Sequence, residues 1–162
     1  MLFRSLRGKL PAVVVLGVFR AALESATEAL SSKVSSFSGQ TLRDQAPIQE
    51  LIAHYHGAYR AARAGVVEAT KAMWEVAATG EQVSLRMRAD LYAASAYAID
   101  TMRETISRLY ARGTRAAFMQ GNPVERALRN IHAIAFGVES ARGHHQSAGR
   151  VLLGGEPLEP LF

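Results

Sequence analysis

The 162-residue sequence has no cysteine, one tryptophan and five prolines. Without cysteine there can be no disulfide framework, thiolate metal site or cysteine nucleophile. A reducing compartment is therefore permitted, and the cytoplasm is the expected location. No stretch alternates apolar and polar residues long enough to make a strand, and β-branched residues are sparse beyond the first apolar segment, so sheet is not expected. A block of like charge is also missing. The formal charge of +5 arises from arginines that recur singly, among them Arg60, Arg63, Arg86, Arg88, Arg103, Arg108 and Arg112. A nucleic-acid binder needs a clustered basic face interleaved with aromatics, so nucleic acid is not an expected partner.

What is present is apolar: 49% of the residues are hydrophobic, enough for one domain with a sizeable core. Arg4, Arg7 and Lys9 precede the apolar run 12–19, the order in which a secretory signal begins. That run is too short to span a bilayer, no small-residue cleavage site follows, and Arg20 leads into a continuing amphipathic pattern. A core helix with a basic lead-in is the expectation, and no membrane partner.

Punctuation residues divide the chain into four helical segments. The first runs from Pro11 through Leu16, Leu23 and Leu30 to about Lys33 and dissolves in the Ser/Gly stretch 35–40. The second starts near Asp44 and Pro47 and reaches Ala78, where Gly80 suits the left-handed conformation that ends helices. The third covers about Gln82 to Arg112 and stops at Gly113. The fourth follows Asn122-Pro123-Val124-Glu125, which supplies an N-cap, a first-position proline and a glutamate able to reach back to the cap, and it ends near Gly154 and Gly155. Long helices, short connections and alanines such as Ala61, Ala62, Ala64, Ala93, Ala94, Ala96 and Ala98 predict an all-α, antiparallel four-helix bundle over residues 11–155. Residues 1–10 read as a lead-in. Residues 156–162, with Pro157, Leu158, Pro160, Leu161 and Phe162, form a tail expected to pack on the bundle or on a partner subunit.

Catalytic chemistry is hard to find in these residues. No Glu-x-x-His pair of the di-iron type occurs. Glu50 and His54 could share a face, but His54 and His56 point about 200° apart on a helix, so no metal is expected. His144 and His145 are placed near the end of the fourth segment, where the helix dipole favours a cation. Met73, Trp74, Tyr55 and Tyr59 read as core or interface filling. No phosphate loop and no nucleophile with its base stand out, so catalytic residues are unassigned.

The stretch 122–132, Asn-Pro-Val-Glu-Arg-Ala-Leu-Arg-Asn-Ile-His, followed by Gly-Arg-Val-Leu-Leu-Gly at 149–154, resembles the last long helix of acyl-CoA dehydrogenase-fold enzymes. The likeness extends backward: residues 15–23 resemble the family's first C-terminal helix, Ala61-Ala62-Arg63 its second, and residues 93–113 its alanine-rich third helix and glycine turn. About residues 12–155 are covered.

The resemblance implies a flavoprotein domain that contributes to a flavin site and to a tetramer or dimer. Two branches share it: the FAD-bearing dehydrogenases, which use a glutamate base, and two-component monooxygenases, which take reduced flavin from a partner reductase. The dehydrogenase Arg-x-x-Phe-Gly is matched by Val34-Ser35-Ser36-Phe37-Ser38, without the arginine. The dehydrogenase base falls on Val138, one residue before Glu139, a shift that turns a helical side chain by about 100°. The monooxygenase histidine, eight residues after Arg129, falls on Gly137, and Asn130 replaces the usual aspartate. The lost arginine and the segment Leu42-Arg43-Asp44 place the chain closer to the monooxygenase branch. Arg115, Arg129 and His132 are the candidate cofactor-binding residues, with FMN or FAD as cofactor and a flavin reductase as partner. The family's middle β domain and N-terminal helical domain have no counterpart in this sequence. The chain is therefore expected to be a separated or truncated piece, inactive alone and weak in flavin binding. A dehydrogenase fragment, a non-catalytic oligomerisation module and an unrelated helical binding module are the alternatives.

Overall fold

In a computed structural model of the chain, residues 10–36, 38–112, 115–139 and 143–158 are described. Among these residues five stretches of α-helix occur in order: α1 Leu10–Ser32, α2 Ala46–Ala78, α3 Leu85–Arg112, α4 Pro123–Glu139 and α5 Gly143–Leu152, with 3-10 turns at Leu42–Asp44 and Arg115–Phe118. Among the described residues there is no strand, only an isolated antiparallel bridge between Val34 and Thr41. The all-helical bundle agrees with the sequence.

The caps show why the helices start and stop where they do. Ser31 and Ser32 turn their hydroxyls back onto the Glu28 carbonyl at 2.7 and 3.3 Å, at the C-terminal end of α1. The chain then reverses: Leu42 N–H donates to Lys33 O at 2.8 Å, with Gly39 at φ 66° inside the turn. Gly80, at φ 83°, lies just beyond the end of α2. Helix α3 begins at Leu85 instead of near Gln82, because the Ser84 hydroxyl accepts the Met87 N–H at 3.2 Å and sets the cap there. Asn122 Oδ1 accepts the Val124 N–H at 2.9 Å ahead of Pro123, as its sequence predicts. Glu125 does not reach back, since its carboxylate is bonded to Arg129 Nε at 2.6 Å. Replacing Asn122 with alanine removes an N-cap acceptor and is expected to cost about 1 kcal/mol, read from the midpoint of urea unfolding.

The fourth segment is described as two stretches of helix, α4 Pro123–Glu139 and α5 Gly143–Leu152, with residues 140–142 outside the described set. His144 and His145 fall at the start of the second stretch.

Burial ranks the helices. Twelve of the 28 residues of α3 are buried but only four of the 33 in α2, so α3 is the central helix and α2 an outer one. Helix α3 packs against α1, α2, α4 and α5, while α1 packs against α2, α3 and α4. The main core joins Val15, Phe19 and Leu23 of α1, Tyr55 and Val66 of α2, Met102, Ile106 and Leu109 of α3, and Val124, Ile131 and Ala135 of α4. Helices α1 and α2 run antiparallel, as do α2 and α3: Phe19 stacks on Tyr59 at 6.2 Å while Leu30 and Ile48 border one groove, and Gly65 approaches Ala94 while Met73 packs with Leu91. The small pair Gly65 and Ala94 leaves only 3.8 Å between a Cβ built at Gly65 and the Ala94 methyl, the close approach that alanine-rich helices allow.

Helix α1 has two apolar faces. Ala12, Val15, Leu16, Phe19, Ala22, Leu23, Ala26 and Leu30 are buried at three- and four-residue spacing. On the other side Leu10, Val13 and Val14 are exposed, at 58%, 51% and 51%, and Gly17 and Ala21 continue the stripe. The helix, with a mean hydropathy of 1.5 over an 18-residue window, is long and apolar enough to cross a membrane by length and composition, unlike the short run 12–19 considered alone. Its inner face nevertheless belongs to the bundle core.

Burial pushes the Tyr55 phenol above its ordinary value, partly offset by the positive charges of Arg112 and Arg108. The neutral phenol is the form the fold favours, so its stabilising contribution is complete below pH 10 and is lost as pH rises through the elevated folded value. Tyr55→Phe should remove a tyrosinate absorbance component that titrates above pH 10.

Candidate functional site

Helix α4 carries two of the three residues singled out from the sequence. It is anchored from beneath by Val124, Ala127, Ile131 and Ala135, all buried, which turns Arg129, His132 and Phe136 to the outside. These three recur at intervals of three and four and so form one stripe. Phe136 is 75% exposed, an unusual position for a phenylalanine.

Each polar member has a partner. Arg129 is bonded to Glu125 through Nε at 2.6 Å and Nη2 at 3.3 Å. The arginine side chain is 64% exposed and the glutamate 16%, so the pair is a surface one that an incoming anion could reorganise at little cost. His132 reaches across to α3, with Nε2 2.9 Å from the Ser107 hydroxyl. Ser107 commits its single hydrogen to the Arg103 carbonyl at 2.8 Å. The Ser107 oxygen must then accept, and His132 Nε2 carries the proton and donates. The bond holds the ring plane and keeps a hydrogen on Nε2.

The third candidate, Arg115, begins the 3-10 turn Arg115–Phe118, but its side chain lies outside the described residues. The structure therefore brings Arg129 and His132 to one face of α4 and leaves Arg115 unplaced. The side chains of Val138 and Glu139 lie outside the described residues too. Gly137, at the position of the monooxygenase histidine, is exposed, with open space around the point where a Cβ would stand.

Two surface cavities lie elsewhere. A groove of about 360 Å³ runs between the C-terminal half of α1 and the start of α2, with Leu30, Ile48, Ile52 and Ala53 on its walls and Arg43, Gln49 and His56 among its lining residues. A second, of about 320 Å³, is lined by Gln82, Val83, Ser84, Leu85 and Arg88 at the α2–α3 turn. Neither is lined by Arg129 or His132. The sequence did not disclose the groove, because it needs the pairing of α1 with α2. Its signal was the position of Ile48 and Ile52 one turn apart opposite Leu30.

His54 stands edge-on to Tyr55 at 5.6 Å, whereas His56 faces the groove, so the two histidines diverge as helix geometry requires. Among the described residues no three histidine, aspartate or glutamate side chains converge as a metal site would require. Trp74, read as core or interface filling, is 63% exposed, while Met73 and Tyr55 are buried.

A family model described as the acyl-CoA dehydrogenase C-terminal domain matches residues 10–137, from the start of α1 to within three residues of the end of α4. No curated protein gives a significant match to the chain.

Proposed function

Since this chain belongs to the acyl-CoA dehydrogenase C-terminal domain family, we propose that it is the helical bundle of a flavin-dependent oxidoreductase of the monooxygenase type, forming one wall of a flavin site and the surface through which subunits associate. FAD is the family's general cofactor, and FMN is the other flavin the monooxygenase reading admits.

The observation that carries the reading is the outer stripe of α4. A flavin is a planar apolar ring system with hydrogen-bonding edges and a phosphate. Phe136 offers an exposed ring for stacking, His132 a hydrogen-bonding imidazole held in one orientation, and Arg129 a guanidinium for phosphate. Bound flavin would supply the redox chemistry, and these side chains would orient it.

The branch assignment rests on the exposed Val34 in place of the dehydrogenase arginine and on the segment Leu42-Arg43-Asp44. A flavin reductase follows as partner, because a monooxygenase of this kind consumes reduced flavin. One open face cannot exclude water from a reactive flavin, so the chain alone binds flavin weakly and turns nothing over. The exposed stripe Leu10, Val13, Val14, Gly17 and Ala21 on α1 favours self-association as the second role, and a purely non-catalytic oligomerisation module is the reading if flavin is ignored.

Amide spectra of the labelled chain with millimolar FMN and FAD, oxidised and reduced, test the flavin wall. Shifts confined to residues 126–137 and lost in Arg129→Met support it. Silence at α4, or shifts concentrated in the α1–α2 groove, would overturn it.

A further inference from the structure

The α2–α3 turn buries a positive charge that no acidic side chain among the described residues balances. Arg88, in the first turn of α3, is only 7% exposed. Its Nη2 donates to the Val83 carbonyl at 2.9 Å, while Nε is enclosed without any partner. None of the ion pairs among the described residues involves Arg88. The neighbouring acidic group Asp90 is taken by Arg86, through two bonds of 3.1 and 3.2 Å. A buried cation without a counter-ion is strongly unfavourable.

The helix adds charge of the same sign. The first turn of α3 contains no acidic residue, and 28 residues of aligned peptide dipoles end there. The first intrahelical bond is Arg88 N–H to Ser84 O at 3.3 Å, and Ser84 Oγ takes the Met87 N–H, so the Leu85 and Arg86 amides stand at the open end. The 320 Å³ cavity is lined by Ser84, Leu85 and Arg88 together. A guanidinium lacking a counter-ion and a helix N-terminus thus border one space, with room for a tetrahedral anion and its water.

We propose that this cavity is an oxyanion site for a phosphate-sized anion, held by Arg88 and the N-terminal amides of α3. It is separate from the stripe on α4, and neither site needs the other. The occupant neutralises Arg88 and completes the helix end, so it stabilises the α2–α3 turn.

The test uses inorganic phosphate added to the whole chain, with sodium chloride lowered to keep ionic strength constant. At a phosphate concentration ten times Kd, Tm should rise by roughly 3–6 °C. The amides of Ser84, Leu85 and Arg86 and the Arg88 Nε–H should shift, and those of α4 should not. Arg88→Met should abolish the phosphate response while matching or exceeding the wild-type Tm without phosphate, because the uncompensated charge is gone. Leu85→Pro, which keeps a residue suited to the first helical position but removes one donor, should weaken phosphate roughly tenfold. A phosphate effect no larger than that of chloride, an unchanged response in Arg88→Met, or shifts located elsewhere would each overturn the proposal.

Discussion

Phe19→Ala is expected to destabilise the bundle by about 3–5 kcal/mol, the usual cost of emptying a buried aromatic site. Phe19 is completely buried, packs in the core shared by α1, α2, α3 and α4, and stacks on Tyr59 with ring centroids 6.2 Å apart. The stacked pair is lost with it, a loss of about 0.5–1.5 kcal/mol already inside that range. For a domain whose total stability is about 5–15 kcal/mol, roughly a fifth or more disappears. Thermal unfolding should shift down by roughly 6–20 °C. Trp74→Ala is the control: this larger ring is 63% exposed, and its removal should change stability by less than about 0.5 kcal/mol. Equal losses at the two sites would mean that α1 does not hold the core together as described.

Val14→Glu is expected to do the opposite, leaving the fold intact and breaking the self-association proposed for α1. Val14 is 51% exposed between Leu10 and Gly17 on the outer stripe of α1, so a carboxylate there meets water in the single chain. In an apolar contact between copies the same carboxylate would be buried without a partner. The dissociation constant should rise by roughly tenfold to a thousandfold, measured by sedimentation, with Tm of the dissociated chain unchanged. An oligomer indifferent to Val14→Glu would move the contact to another surface.

Much of the architecture was legible in the residues because caps and breakers act locally. Pro47, Gly80, Asn122 with Pro123, and Gly154 each constrain the backbone through their own chemistry, and each stands where a helix starts or stops. The core face of α1 was legible for the same reason, as a repeat of three and four. The caps chosen by competition were missed: Glu125 could serve either Asn122 or Arg129, and Arg129, one turn along, wins.

The site was less legible than the fold. Periodicity places Arg129 and His132 on one face, but only the packing of α4 on α3 brings Ser107 to His132 and keeps a hydrogen on Nε2. Arg88 looked like one more solvated arginine in a scattered series. Its burial depends on how the α2–α3 turn folds over it, which no local pattern encodes.

The native mass of the purified chain by light scattering, over a range of concentrations and without detergent, tests the central claim most directly. The account predicts a dimer or tetramer that dissociates on dilution, because the exposed apolar stripe of α1 is proposed as the contact between copies. A monomer at every concentration would contradict it, and would leave the family membership of this bundle without the assembly proposed for it.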